Sequence, residues 1–360
     1  MWMLAKIPWS HLAHVEFCKM LSPKKVAAVD FDYTLYSGAL NECPLEEIVP
    51  DDAFLEELKA LKDRGVLLLG LTKNDPSDIE RLFEKEDFAL SKDDFAEICA
   101  NWNDKADNLK AFSQKSKLSL DSFVFFDDNS SERARMRKSC PEVTVASYPF
   151  KASDYFFFGK ATKEDSQKTE MYMQEKERGI LSGRVSLEEY FSELKIRLSM
   201  GKLDGENLER VFQLSQKTNR FNVTTNRYSR EELDSFLDDP NRRFFVFSAE
   251  DSFGDYGVIG FVNVQIEDDT GFIADWVMSC RAMSRTIEYA AQEFVERELA
   301  ESGVSVLNAL FIDSGNNAPV RNLFDDFGFE LLESGETGKK YTLALPRQKP
   351  MKKHYVSICR

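Results

Sequence analysis

Apolar residues in the first half of the chain come in short continuous blocks separated by amphipathic stretches. "KVAAVDFD" (25–32), "VLLLGLT" (66–72), "SFVFFDD" (122–128) and "VTVAS" (143–147) are of buried-strand length. Between the first two, "DDAFLEELKALKDRG" puts Phe54, Leu58 and Leu61 on one helical face and stops at Gly65, a residue type suited to a helix C-terminus. "PSDIERLFEKE" turns Ile79, Leu82 and Phe83 inward, and Ser77 with Glu80 predicts a capping box at its start. Further helices are expected over 105–116 and from Ser130. Strands alternating with helices predict βαβ units and a parallel sheet, an α/β domain over residues 25–150.

The pattern changes after residue 150. Residues 151–203 are rich in Lys, Glu and Ser with sparse helical periodicity, as in "TKEDSQKTEMYMQEKERG" and "SLEEYFSELKIRL", and read as a helical connector. A helix through "ENLERVFQLSQKT" opens a second domain over 204–346. The strand-like runs "RFFVFSA", "YGVIGFVNVQI" and "FIADWVMS" follow, then a helix from Ser284 to Glu301. The strand "VSVLNALFI", a helix near 317–326 and the strand "KYTLAL" complete an α+β unit, antiparallel before its long helix. An N-terminal segment, 1–24, and a basic tail, 347–360, expected to be mobile, flank the two domains. No internal repeat interrupts this order.

Composition narrows the class. The 360 residues are 42% hydrophobic and 30% charged, as in an ordinary soluble protein. No apolar run reaches membrane-spanning length, and "MWMLAKIPWSHLAHVEF" is broken by Lys6, Pro8 and two histidines. The expectation is a cytoplasmic chain without a membrane partner. Six cysteines (18, 43, 99, 140, 280, 359) include no C-x-x-C pair, which argues against a zinc site and a disulfide framework. The sequon Asn222-Val223-Thr224 is then a chance match. Histidines occur at 11, 14 and 354, so an interior Ser-His-Asp or Cys-His mechanism has no obvious base. A net charge of −15 disfavours nucleic acid.

Carboxylates carry the candidate chemistry. Asp30 and Asp32 stand two residues apart at the tip of the first strand and are expected on one face. Thr72, followed by Lys73 and Asn74, ends the second strand, and Asp127 with Asp128 ends the third. Lys105, in "NWNDKADN", arrives from a loop or helix start. In a parallel sheet such strand tips line one crevice. One aspartate at a strand end is commonly a turn residue or cap, and one lysine a solvated surface group. Four matching elements in this order point instead to phosphoryl transfer through an aspartyl-phosphate. One carboxylate attacks phosphorus, and its neighbour protonates the leaving oxygen and then activates water. Mg²⁺ takes hard oxygen ligands from the acidic pair, while a hydroxyl and an ammonium hold phosphoryl oxygens. A divalent cation also makes the clustered carboxylates tolerable.

This order and spacing resembles the haloacid dehalogenase (HAD) superfamily. Only 37 residues separate Thr34 from Thr72, too few for a large lid, so an open site admitting bulky or carrier-borne substrates is expected. "DFDYTLYSG", "LTKND", "NWNDKADNL", "VFFDDNSSERARMR", "TKEDSQKTEMY", "QLSQKTNRFNVTT", "DSFGDYGVIG" and "DWVMSCRAMSR" together resemble the FkbH-like family, HAD subfamily IIIC. The resemblance implies a capless HAD-like Rossmannoid domain followed by a domain similar to GNAT acyltransferases. It implies an enzyme that dephosphorylates a substrate such as 1,3-bisphosphoglycerate and loads the acyl group onto an acyl carrier protein in natural-product, polyketide-like biosynthesis. By position, Asp30 would be the nucleophile and Asp32 the acid/base, with Thr72 and Lys105 on phosphate and Lys73 and Asn74 on substrate. Asp127 and Asp128, with Asp30 and Asp32, would hold Mg²⁺. Cys280 matches a family cysteine that carries a thioester, and Arg281 and Arg285 nearby would lower its thiol pKa. Its bland alternative is a buried structural cysteine.

The chain departs from the family pattern at Tyr33, where asparagine is usual, and at Tyr36-Ser37-Gly38, where Trp-Gly-Gly is common. Arg281–Thr286 also replaces both glycines of an R-x-x-G-x-G loop. That loss disfavours close approach by the pyrophosphate of coenzyme A, whereas the phosphopantetheine of a carrier protein needs less of the cradle. An acidic carrier would need a basic patch, for which 347–353 and the arginines of 281–285 are candidates. Asn317 and Phe324 stand where a GNAT-like closing helix would have them, and Phe324, Phe327 and Phe329 read as packing. The alternative function is a stand-alone HAD phosphatase on another small phosphoester, with a non-catalytic second domain.

Overall fold

The computed structural model describes residues 24–85, 87–156 and 162–359. His11, His14 and Cys18, and all but the last residue of the segment 1–24, lie outside the described residues. The chain divides into two compact units, Met1–Met173 and Gln174–Arg360.

The first unit is built on parallel strands. These are β1 (Val26–Val29), β4 (Leu67–Thr72), β5 (Phe95–Ala100), β6 (Phe123–Phe126) and β7 (Thr144–Val145), in the order β5-β4-β1-β6-β7. Along the chain, a two-stranded ribbon, β2 (Tyr36–Ser37) and β3 (Val49–Pro50), comes between β1 and β4. The apolar blocks read as buried strands because both faces are covered. Ala27, Val29, Leu68, Val124 and Phe126 enter one core, with helices Asp52–Asp63 and Pro76–Phe83. Val26, Ala28, Leu67, Leu69, Phe123 and Phe125 enter the other, with Leu109 and Phe112 of helix Lys105–Ser116 and Met136 of helix Ser130–Ser139. Period-two alternation thus divides each strand between two apolar layers. From β1 the chain moves outward through β4 to β5, then returns to the opposite side of β1 with β6. The order reverses between β1 and β6, which is where an open α/β sheet leaves a crevice.

The second unit has an eight-stranded sheet among the described residues. Its strands are β8 (Arg197–Lys202), β9 (Arg242–Asp251), β10 (Gly254–Glu267), β11 (Thr270–Met278), β12 (Val306–Ile312), β13 (Glu330–Ser334), β14 (Gly338–Ala344) and β15 (Ser357–Cys359). They lie in the order β13-β14-β12-β11-β10-β9-β8-β15. β8 to β11 are antiparallel neighbours, and β11 and β12 are parallel. On β9, Phe244 and Val246 face the helices Leu208–Lys217 and Arg230–Phe236, while Phe245 and Phe247 face the helix Ile287–Glu301. Phe324, Phe327 and Phe329 are buried in that larger core, as packing predicts. The fold class expected from the sequence, a parallel α/β sheet followed by an α+β unit, is the one observed.

Four details differ from expectation. Helix Pro76–Phe83 has Asp75 as its N-cap with no side-chain cap bond, so the Ser77–Glu80 capping box does not form. Pro76 supplies the first helical residue with its φ preset, which places Ser77 inside the helix. The connector 151–203 does hold the helices Lys163–Ser166, Lys168–Ser182 and Leu187–Leu194, but its end, Arg197–Lys202, is strand β8. The tail expected to be mobile supplies β15, paired in parallel with β8 from Ser357–Arg197 to Cys359–Ser199. The helix expected from Ser284 begins at Ile287, because Ser284 and Thr286 adopt left-handed backbone conformations, φ 63° and 61°.

Candidate active site

Asp30 follows β1 directly and is 6% exposed, and Asp127 follows β6 and is fully buried. The two strands are hydrogen-bonded neighbours, and Asp30 N–H donates to Phe126 O at 2.9 Å, so the carboxylates emerge side by side at the switch point. Lys105, the first residue of helix Lys105–Ser116, is also buried, with its Nζ 2.7 Å from Asp30 Oδ1 and 2.7 Å from Asp127 Oδ2. Burying the ammonium works against its charge, but Asp30 and Asp127 outweigh that cost and hold its pKa above the ordinary value. Burial pushes the Asp30 carboxyl up to about 7, against the opposing pull of Lys105 and with Asp127 adding to the rise. Asp127 and Asp128 are raised as well, by burial first, with Lys105 opposing it in both.

Asp30, Asp127 and Asp128 offer carboxylate oxygens that lie within 4.8 Å of one another. One ammonium set against three carboxylates leaves surplus negative charge, which a divalent cation matches, and the donor set is all oxygen, as Mg²⁺ requires. These residues fit the metal. Asp32 is different. Its Oδ1 accepts from Tyr36 Oη at 2.6 Å and from Leu40 N at 3.2 Å, and its Oδ2 from Asn74 Nδ2 at 2.9 Å. Asp32, expected among the metal ligands, is therefore not in the carboxylate group that surrounds the candidate cation position. The reason is local: β1 ends at Val29, and by Asp32 the chain is already turning into Tyr33, whose φ is 57°. Burial, with Asp32 beside it, raises the Tyr36 phenol, which keeps it a donor.

Thr72, at the end of β4, is 1% exposed, and its Oγ1 accepts from Asn74 Nδ2 at 2.8 Å. Its own proton is then the one left to donate. Asn74 thus bridges Thr72 and Asp32 through one amide nitrogen, while its Oδ1 is buried without a partner. Lys73 is placed differently: its Nζ pairs with Glu132 at 2.8 Å. Three supporting groups were given no role at the site by sequence reasoning. Thr34 Oγ1 accepts the Asp128 N–H at 3.1 Å, tying the turn after β1 to the turn after β6. Arg133 Nη1 donates to both the Asp127 and Asp128 carbonyls at 2.6 Å, and Tyr36 orients Asp32. The spacing of Thr34, two residues after Asp32, and of Arg133, six after Asp127, is a signal that carries no chemistry alone.

In the second unit, Cys280 opens the 3₁₀ turn Cys280–Ala282 after β11 and is exposed, so the buried-cysteine alternative does not describe it. Arg285 does not face solvent: Nη1 donates to the Arg281 carbonyl and Nη2 pairs with both Glu175 oxygens at 2.7 Å. Arg281 Nη2 donates to Tyr256 O at 2.5 Å, Arg347 pairs with Glu296 and Lys352 with Asp326. Of the cations expected to form a carrier-docking patch, Arg281, Arg285, Arg347 and Lys352 are thus paired within the unit, Lys352 at its surface.

No family model matches the chain, and no curated protein matches it. Among solved structures, the N-terminal part of the protein BF1531 from Bacteroides fragilis, containing a phosphatase domain complexed with Mg, is 32% identical over 39% of this chain, with a TM-score of 0.35. The chain spans 40% of that neighbour's length. The ribosomal-protein-S18-alanine N-acetyltransferase from Escherichia coli is 14% identical over 44% of this chain and 99% of its own, with a TM-score of 0.33. An acetyltransferase from Thermus thermophilus is 18% identical over 42% of this chain and 99% of its own, with a TM-score of 0.32. Among the described residues no helix is long and apolar enough to cross a membrane.

Proposed function

We propose that the first unit is a phosphohydrolase that works through an aspartyl-phosphate on Asp30. The observation that carries this is the buried Lys105 ammonium, held 2.7 Å from both Asp30 and Asp127 with Asp128 alongside. Lys105 binds Oδ1 of Asp30 and leaves Oδ2 to attack phosphorus. The new P–O bond forms as the bond to the leaving oxygen breaks, and Asp32 gives that oxygen a proton. Asp32 then takes a proton from water, whose oxygen attacks the aspartyl-phosphate, releasing inorganic phosphate and restoring Asp30. Tyr36 and Asn74 orient Asp32 for both transfers, and Thr72 donates its hydroxyl to a phosphoryl oxygen. Asp30, Asp127 and Asp128 would hold Mg²⁺, which would supply the positive charge a phosphate dianion needs to approach this acidic pocket.

Phosphate release from small phosphoesters and acyl phosphates, with Mg²⁺ and with chelator, tests the reading. Release should require the metal and fall at least about a thousandfold in Asp30→Asn, the scale of losing a nucleophile. Release unaffected by either change overturns it.

A second reading has a specific observation in its favour, the exposed Cys280. Here the substrate is a phosphorylated acyl group of the 1,3-bisphosphoglycerate type, and the second unit passes the acyl group through the Cys280 thiol to an acyl carrier protein. Intact-mass measurement with such a substrate and a carrier bearing its phosphopantetheine arm should show an acyl gain on the enzyme, lost in Cys280→Ala. No gain on enzyme or carrier contradicts this reading and leaves the phosphohydrolase untouched.

A further inference from the structure

β11 and β12 run side by side only from Thr270–Val306 to Ile273–Ala309 and then part. Beyond that point the edge of β11 from Ala274 to Met278 leads directly to Cys280. An extended, amide-bearing thiol arm, the chemistry of coenzyme A and of phosphopantetheine, would dock on such an edge by strand addition. That place is already taken. Phe221–Val223 lies in the gap, with Asn222 in an isolated antiparallel bridge to Val277. Val223 N–H donates to Trp276 O at 3.3 Å, and Met278 N–H donates to Phe221 O at 3.0 Å. On the other side, Ile312 N–H donates to Val223 O at 2.8 Å, so the segment joins the two parted strands.

The segment is anchored at every residue. Asn222 and Val223 are fully buried and Phe221 nearly so, its ring 5.1 Å from that of Trp276. Asn317, also fully buried, donates through Nδ2 to Asn222 O at 2.9 Å and to Ile312 O at 2.8 Å. Asn222 Oδ1 accepts from Thr225 N at 2.7 Å and Thr224 N at 3.3 Å. Thr224 Oγ1 reaches Ala274 O at 3.0 Å and bonds Asp275, which Tyr228 also holds. Ala274 O, Trp276 O and Met278 N, three groups that an arm would need, are all occupied by the chain itself.

The loop where a pyrophosphate would rest is closed independently. Ser284 and Thr286 hold left-handed conformations that glycine alone adopts freely, so the backbone keeps a glycine-type path while carrying two Cβ atoms. The Arg285 guanidinium is folded back onto the Arg281 and Met283 carbonyls, and Thr286 Oγ1 accepts from Tyr355 N at 3.2 Å.

From this we infer that the second unit takes no coenzyme A-type arm between β11 and β12: Phe221–Val223 is a built-in replacement for it. The inference does not rest on the phosphohydrolase reading, since it concerns the second unit alone, and under the carrier reading the phosphopantetheine arm would have to reach Cys280 by a path outside this gap. The test is calorimetric titration of the full chain with coenzyme A and with acetyl-coenzyme A to about 1 mM, the weak end of specific binding. Hydrogen exchange is followed in parallel at the amides of Val223, Met278 and Ile312. The expected result is no saturable heat, with the three amides slow and unchanged by ligand. Saturable binding in that range overturns the inference, and so does fast exchange at these amides in the free protein, which would mean that the segment is not seated.

Discussion

Lys105 shows how far a single residue can be read before the fold is known. Alone it is one of many lysines, but at the start of a helix beside two strand tips it becomes the counter-ion of two buried carboxylates. Removing it leaves both without a partner, and breaking a buried pair costs about 3–5 kcal/mol. Lys105→Met should therefore lower stability by about 3 kcal/mol or more in urea unfolding with chelator present, with part regained on adding Mg²⁺. A loss below about 1 kcal/mol, the scale of an exposed pair, would mean that the carboxylates do not depend on the ammonium. Tyr33 is the opposite case. The tyrosine is visible in the sequence, but the cost is not, because only the structure places it at φ 57°. Tyr33→Asn should raise stability by roughly 1 kcal/mol, since asparagine enters the left-handed region more easily, and an unchanged unfolding midpoint would remove the strain argument. Asp32 is legible as an aspartate two residues on, but its orientation toward Tyr36 and Asn74 depends on where β1 stops, and no pattern in the sequence marks that point.

Elements were legible where burial imposed a pattern. β1, β4 and β6 are covered on both faces and read as continuous apolar blocks. β13 is exposed along its whole length, so "ELLES" offers no alternation to find, and β5 at the sheet edge is interrupted by Glu97. The Phe221–Val223 segment was invisible for another reason: its partners, Trp276, Met278 and Ile312, are distant in the sequence. Asp275, which latches the residues just after that segment, has its carboxyl pushed up to about 7 by burial, against the opposing hydrogen bond from Thr224. The folded chain therefore binds this proton more tightly than the unfolded chain, whose carboxyl titrates near 3.8. Stability from this group is present at low pH and is lost as pH rises from about 4 through about 7. The melting temperature of Asp275→Asn relative to the unmodified chain should consequently rise between about pH 5 and about pH 8. A difference that does not move with pH would place the Asp275 carboxyl at its ordinary value.

At the scale of the whole molecule, the order of motifs along the chain was informative, because a parallel sheet delivers successive strand ends to one edge. Asp30, Thr72, Lys105 and Asp127 follow that order, and the site was the most legible part of the protein. The second unit was legible in class but not in use, since whether an edge is open or filled depends on one loop between two helices. The proposed function of the first unit turns on covalent chemistry at one carboxylate, and acetyl phosphate allows a direct look at it. Its leaving group needs no proton, so Asp32→Asn should still accept the phosphoryl group on Asp30 but fail to hydrolyse it. Rapid quenching of Asp32→Asn after mixing with acetyl phosphate and Mg²⁺, followed by intact-mass and peptide analysis, is the decisive measurement. The expected result is a gain of one phosphoryl group, located on Asp30 and absent from a chelator control. Phosphorylation at another residue, or phosphate release by the unmodified chain with no covalent gain in the variant, would contradict a nucleophilic Asp30.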